Sequence, residues 1–426
     1  MEKLLGKGRA ILVSGPASVA LVSGVVTALG FPLPIGGKVV IRKSKAIPFE
    51  AEEDSTLEVV LGSDAGIEEL EGSTIPDSWR RTVEGILGTP KPCMVLVLGD
   101  VDSGKNTFCL FLVNRALASG LKPAIVDADI GQSEVGPPTT IGFTSISKPT
   151  LDFFSLSSEA IFFVGVVSPS GATRRVIDGL TSLKKHAAET PSQLVVVNTD
   201  GWVREEAAGK YKTSLIKALN PEVVVAIQGD DELEPILAAV SEESRIVRVV
   251  SPSVVKKRDR DSRKELREQG YRKFLEGATM RLLPMGWVRF ELTAFNSGAP
   301  LVPNRLKELE EALGYKTLYC EESQRELLAV VGATDTVDAE HVTKAEKTFG
   351  KPLRIVKEGD LEGLLVGLLN SRQRFLGLGV VNKIDYNNRV LKVTTPCREK
   401  IDIVQFSQIK VDKQGREIGY TTALSD

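Results

Sequence analysis

The segment Gly99-Asp100-Val101-Asp102-Ser103-Gly104-Lys105 constrains the fold more than any other part of the chain. It fits GxxxxGK, with a continuous apolar run at 94–98 before it and a helical stretch at about 105–119 behind it. A strand, a glycine-rich turn and a helix in that order let backbone N–H groups and the positive end of the helix surround a phosphate. Lys105 then brings a point charge to the β- and γ-phosphates of a nucleotide. The residue after the lysine is normally Ser or Thr, whose hydroxyl binds Mg²⁺; here it is Asn106, with Thr107 next. An amide oxygen is a hard neutral donor able to take that place. The stretch 99–107 is therefore the candidate nucleotide site, and Asn106 a candidate metal ligand.

Further apolar runs stand at 123–126, 161–167, 193–197, 222–227 and 245–250, with helical stretches at 173–188, 205–219 and 231–241. Buried strands alternating with helices read as a parallel sheet covered on both faces. Residues 1–75 have another texture, rich in Val, Ile, Gly and Pro, with strand candidates at 10–13, 19–22, 38–42 and 56–61. They read as a small all-β domain. Residues 76–90 read as a polar connector ending in Pro90-Lys91-Pro92. From about Leu282 the β texture returns, at 287–293, 376–384, 390–394 and 401–411, with Asn387-Asn388 as a hairpin turn and added helix at 303–313 and 336–370. The expected fold is α/β: a central P-loop NTPase parallel sheet (76–282) flanked by N-terminal (1–75) and C-terminal (283–426) β-rich domains.

Composition narrows the function classes. Lys and Arg number 54 against 56 Asp and Glu in 426 residues, so any nucleic-acid site must be a local patch. Cys93, Cys109, Cys320 and Cys397 form no CxxC, which points to a reducing, cytoplasmic location. His186 and His341 are too few for a His-rich metal site. Lys3, Lys7 and Arg9 ahead of the apolar stretch 10–26 faintly mimic a signal peptide, but Ser14, Gly15, Pro16, Ser18, Ser23 and Gly24 interrupt it. No window reaches about 18 unbroken apolar residues, so no membrane span is expected.

A second motif, Asp127-Ala128-Asp129-Ile130-Gly131-Gln132, comes after the next apolar run. Carboxylates at the C-terminal end of a strand beside the phosphate loop sit where ligands bind in open α/β sheets. Asp129 there can hold Mg²⁺ through water or take the proton of an attacking hydroxyl, while Asp127 reads equally as a turn residue.

The run DADIGQSEVGPPTT at 127–140 is distinctive in this setting. With Gly15-Pro16-Ala17-Ser18-Val19, Asn198-Thr199-Asp200-Gly201-Trp202 and Gly363-Leu364-Leu365-Val366-Gly367-Leu368, the chain resembles the RNA-processing polynucleotide 5′-hydroxyl kinases. These include the kinases of tRNA splicing and pre-ribosomal RNA processing and their archaeal relatives, and the short chain suits the archaeal type. The resemblance implies ATP as donor, Mg²⁺ as cofactor and 5′-hydroxyl ends of RNA as acceptor, with DNA left open. It gives Lys105 the transferring phosphate and puts Asn106 and Thr107 where a Ser-Thr pair stands. Asp129 matches the acid that activates the 5′-hydroxyl. Trp202 matches an aromatic that clasps a base, and Gln132 of the second motif is the other candidate substrate contact.

Residues 251–276 match the family's lid. Within 251–273 stand nine basic side chains (Lys256, Lys257, Arg258, Arg260, Arg263, Lys264, Arg267, Arg272, Lys273) against four acidic ones, in a protein of net charge −2. Part of such a run is simply a solvated helix face. Arg258 and Arg263 match the lid arginines that approach the triphosphate.

Two other readings compete. A catalytically weak ATP-binding scaffold of an RNA-processing complex is the alternative that Asn106 raises. A dimeric metal-delivery NTPase would carry a second lysine early in the loop, and none lies between Gly99 and Gly104. Asn382-Lys383-Ile384-Asp385 fits the guanine-reading letters NKxD but lies in the C-terminal β region.

Overall fold

The computed structural model describes residues 1–240, 244–252 and 258–421. Two compact units divide the chain, Met1–Arg267 and Glu268–Asp426.

The first unit opens with two antiparallel sheets. One has the order Glu2–Leu5, Ser55–Leu61, Ala17–Ser23, Lys38–Ile41; the other has Phe31–Pro32, Val26–Ala28, Ala46–Ala51, Arg9–Ser14, Gly66–Glu71. Ala17–Leu21 alternates buried and half-buried residues, and Ile11, Val13, Val19, Phe49 and Leu57 form a shared core. The expected connector 76–90 is instead largely a helix, α1 (Asp77–Leu87). Trp79, Val83 and Ile86, spaced four and three residues apart, bury one stripe of it, and the Trp79 indole N–H donates to Val250 O at 2.9 Å. The many charges around that stripe disguise it in the sequence.

The central sheet has seven strands in the spatial order Ala160–Phe163, Thr140–Ser145, Pro123–Ala128, Leu194–Thr199, Cys93–Gly99, Val223–Gln228, Arg245–Val250. The last five are parallel, and every residue of Cys93–Gly99 and Leu194–Thr199 is buried. Helices α1 and α2 (Lys105–Ala118) cover one face; α3 (Thr173–Ala188), α4 (Glu206–Leu219) and α5 (Glu234–Ala238) cover the other. The expected parallel sheet is present, with one antiparallel edge formed by Thr140–Ser145 and Ala160–Phe163. The link from Ala128 to Thr140 holds no helix and turns through Pro137-Pro138, so the chain doubles back instead of crossing over. The helix expected at 231–241 is cut to α5, and Ser241 lies outside the described residues. The sequence boundary at 75/76 falls inside the first unit: Leu29 belongs to the α/β core, and Leu151 packs against both cores.

Helix α6 (Arg260–Phe274) carries the chain from the first unit into the second. The second unit holds a sheet ordered Thr279–Pro284, Val390–Thr395, Phe375–Asp385, Leu364–Leu369, Ile403–Val411, Arg289–Glu291. The hairpin at Asn387-Asn388 joins Asp385 to its partner Val390. A second, four-stranded sheet lies beside α7 (Pro303–Leu313) and α8 (Ala339–Phe349). The helix expected over 336–370 is confined to α8; Leu353–Lys357 and Leu364–Leu369 are strands. Gly350 in the left-handed region and Pro352 stop α8, and the strand after it lies parallel to Leu327–Val331. Among the described residues no helix is long and apolar enough to cross a membrane.

Candidate active site

The strand order brings the C-terminal ends of Cys93–Gly99, Leu194–Thr199 and Pro123–Ala128 side by side, with Val97 in register with Asn198 and Asn198 with Asp127. The phosphate loop and the second motif leave from that edge. They wall a pocket of about 340 Å³ in the first unit, together with N-terminal strand residues such as Ile41 and Ile47.

The loop 99–105 closes tightly onto α2. Gly104 has φ +98° and lies against Trp79 and Pro252, so a side chain there would be both strained and crowded. Gly201, on the neighbouring strand end, lets the loop approach closely: a Cβ on it would come within 2.7 Å of Val101 N. Lys105 is buried, and its Nζ donates to Gly99 O at 3.0 Å and Asp100 O at 2.7 Å. Burial draws its pKa below the ordinary lysine value, while the charge of Asp129 opposes the shift. The loop positions 101 to 107 all line the pocket.

Asp129 lines the same pocket, half-buried, and its Oδ1 accepts from Gln132 N at 3.1 Å. Burial pushes its carboxyl above the usual range against the pull of Lys105. Asp127 takes the turn role. Its Oδ2 accepts from Glu134 N at 2.6 Å and Val135 N at 3.3 Å, and its Oδ1 accepts from Asn198 Nδ2 at 3.2 Å. Burial pushes this carboxyl up to about 7, with the N–H donors of Glu134 and Val135 opposing.

Arg258 and Arg263, expected as lid arginines, both line the pocket and meet the phosphate loop. Asp102 Oδ2 accepts from Arg263 Nη2 at 2.8 Å and from the backbone N of Arg258 at 2.9 Å, with Arg258 Nη1 3.9 Å from Oδ1. Gln132 lines the pocket too and donates from Nε2 to Arg263 O at 3.2 Å, tying the second motif to α6 (Arg260–Phe274). Lys256 and Lys257 lie outside the described residues. Trp202 comes directly after Gly201, which lines the pocket, but is not itself in the wall. Its ring stacks on Tyr211 at 5.9 Å and packs half-buried on the core.

Asn106 stands in the pocket wall with one end tied. Its Nδ2 donates to Glu134 Oε2 at 2.9 Å, while its Oδ1 is buried without a hydrogen-bond partner. An orphaned amide oxygen at this loop position suits a hard divalent cation, which takes one or two protein oxygens beside phosphate and water. The described residues contain no group of three or more His, Cys, Asp or Glu able to hold a metal alone.

A family model described as mRNA cleavage and polyadenylation factor CLP1 P-loop matches residues 99–277. A polyribonucleotide 5′-hydroxyl-kinase of Methanocaldococcus jannaschii is 27% identical over 81% of this chain and 94% of its own length. One from Pyrococcus horikoshii is 26% identical over 81% and 93%. A CLP1 homologue of Nematostella vectensis is 26% identical over 71% and 68%. Among solved structures, Clp1p in its complex with Pcf11p superposes with a TM-score of 0.65 at 13% identity, over 96% of this chain and 97% of that one, which establishes the shared fold. The chain is thus similar, over most of its length, to polyribonucleotide 5′-hydroxyl-kinases and to CLP1 proteins.

Several residues in and around the site are not singled out by the sequence motifs. Glu134 ion-pairs with Lys45 and faces Arg42, and Arg42 in turn pairs with Asp152. These side chains meet only through folding. Lys212 is fully buried in α4 and bonds both the carboxylate and the carbonyl of Asp200, while Tyr211 OH donates to Asp200 Oδ2 at 2.9 Å. This cluster does leave a signal: Lys212 interrupts the apolar stripe of Ala208, Tyr211, Leu215, Ile216 and Leu219, and a charge there needs a buried partner.

Proposed function

We propose that this chain is an ATP-dependent polynucleotide 5′-hydroxyl kinase that transfers the γ-phosphate of ATP to the 5′-hydroxyl end of RNA. The observation that carries the reading is the convergence of Lys105, Asp129, Arg258 and Arg263 on one pocket behind a GxxxxGK loop. The curated relatives bearing the kinase name support it.

ATP lays its phosphates on the loop amides and the start of α2. The apolar wall of Leu29, Val40, Ile41, Ile47 and Pro48 suits the flat face of its base. Asp129 takes or orients the proton of the 5′-hydroxyl. The hydroxyl oxygen attacks the γ-phosphorus in line; the new O–P bond forms as the bond to the β-phosphate oxygen breaks, and ADP leaves. Lys105 and the two arginines stabilise charge on the transferring oxygens. Asn106 Oδ1, with Asp129 through water, would hold Mg²⁺, which neutralises charge on the β- and γ-phosphates when bound. Trp202, beside the pocket, offers a sequence-tolerant stacking face to the terminal base, worth about 1–3 kcal/mol. RNA is the acceptor that the reading favours, with DNA ends a further acceptor to be tried, and the cytoplasm is the setting.

The scaffold alternative is not favoured, because the archaeal relatives named above are kinases. The test is transfer of label from γ-labelled ATP to an oligoribonucleotide with Mg²⁺. Labelling of the 5′-hydroxyl form alone, lost in Lys105→Ala, is the expected result. ATP binding without any transfer would overturn the kinase and return the scaffold.

A further inference from the structure

The loop places an asparagine where the GxxxxGK motif normally continues with a hydroxyl, and an amide has a liability that a hydroxyl lacks. Rotation of the terminal amide by half a turn exchanges an acceptor oxygen for a donor NH₂, and the wrong end would repel a cation. Something must choose the end. A carboxylate only accepts, so Glu134, reaching Asn106 Nδ2 at 2.9 Å, admits the NH₂ end alone. That leaves Oδ1, buried and unpartnered, as the free end of a side chain lining the pocket.

Glu134 is itself held from three sides. Lys45 pairs with its Oε1, Arg42 Nη2 lies 3.9 Å from the same oxygen, and Asp127 Oδ2 accepts from its backbone N at 2.6 Å. Lys45, Arg42 and Glu134 all line the same pocket, and the side chains of Lys45 and Glu134 are only 11% and 12% exposed. A buried amide oxygen left unpaired is destabilising, and a neighbouring group that enforces that state is explained when the oxygen has a ligand to meet.

We infer that Glu134 is the positioning residue of the metal site: clamped by Lys45, it orients the amide of Asn106 so that Oδ1 can ligate a divalent cation. The inference rests on the kinase reading for the presence of nucleotide and metal, and deepens it at one residue pair. It makes Asn106 a functional substitution with its own support and not a damaged loop.

The test is a double-mutant cycle on metal affinity, read without turnover. Mn²⁺ binding to the protein with a non-hydrolysable ATP analogue is followed by electron paramagnetic resonance for the wild type, Asn106→Ser, Glu134→Ala and the double variant. With Asn106 in place, Glu134→Ala is expected to weaken Mn²⁺ by about tenfold, the usual effect of losing a supporting group. In the Asn106→Ser background the loss should be under about twofold, since a hydroxyl has no wrong end. Equal losses in both backgrounds, or none with Asn106 in place, would overturn the inference. If thermal melts show that Glu134→Ala is unfolded, Glu134→Gln replaces it in the cycle with the same inequality required. Label transfer by the wild type is scored separately, so a failed cycle in an active kinase sinks only the role of Glu134, and an inactive wild type sinks only the kinase.

Discussion

Two aspartates two positions apart in one motif divide the work. Asp127 commits its oxygens to backbone and amide donors, whereas Asp129 keeps its carboxylate in the pocket wall. Asp129→Asn should therefore retain ATP binding and lose label transfer by about 100-fold or more; unchanged turnover would remove it from the proton-accepting role. Asp127 is different, because its pKa stands at about 7 in the folded chain against 3.8 for an ordinary aspartate. The folded state then binds the extra proton, so the stability contributed by this group is whole below about pH 4 and is lost as pH rises toward 7. Chemical denaturation at a series of pH values should show that slope flattened in Asp127→Asn. A slope identical to wild type would show that the N–H donors outweigh burial. The sequence makes Asp129 a candidate by its place after an apolar run. It left Asp127 open because a strand-end carboxylate can either meet a ligand or hold a turn, and only the partners decide.

At the scale of an element, the segment that carries Arg258 and Arg263 is tied to the phosphate loop by the side chain of Asp102. Asp102 has φ +55°, a conformation that aspartate tolerates better than most residues, and from it reaches both Arg258 and Arg263. These contacts are partly solvated, since the side chain of Arg263 is 34% exposed, so they hold this segment with about 1 kcal/mol. Asp102→Ala should then raise the open population roughly fivefold, seen as faster tryptic cleavage across 258–267. An unchanged cleavage rate would mean that the bond from Gln132 to Arg263 O holds the lid without Asp102. The charge run in 251–273 is legible in the sequence, and only the family resemblance makes it a lid; its acidic partner is not legible, because Asp102 reads from sequence as one more variable position of GxxxxGK.

At the scale of the whole first unit, the N-terminal sheets and the α/β core are joined by Arg42. Its guanidinium pairs with Asp152, with Nη2 at 3.0 Å from Oδ1, and lies 3.9 Å over the ring of Phe154. Both side chains of the ion pair are at least four-fifths buried, so Arg42→Ala leaves Asp152 partly desolvated and without that partner. A loss of about 2–4 kcal/mol is expected in urea unfolding, together with weaker ATP binding, since Arg42 also lines the pocket. A change below about 0.5 kcal/mol would show that the join rests on other contacts, such as Leu29 and Leu151 packing and the Lys45–Glu134 pair. Sequence texture separates residues 1–75 from the rest because strand alternation differs from buried parallel strands, yet texture carries no information on which surfaces pack together.

What the amino-acid sequence determined by itself was local: the strand–loop–helix around Gly99–Lys105, the carboxylates after the next strand, the β character of the flanks and the basic run at 251–273. Each depends on residues a few positions apart, where glycine conformation, apolar runs and helix spacing act directly on the backbone. The tertiary structure decided the rest. Lys45 and Glu134 are 89 positions apart, and Asp102 and Arg263 are 161 apart. The antiparallel sheet edge, the buried Lys212 and the orientation of Asn106 likewise depend on partners brought in from afar. Such contacts arise from how elements pack, which no local pattern records, and they settle which of two chemically similar residues holds the fold and which faces the ligand.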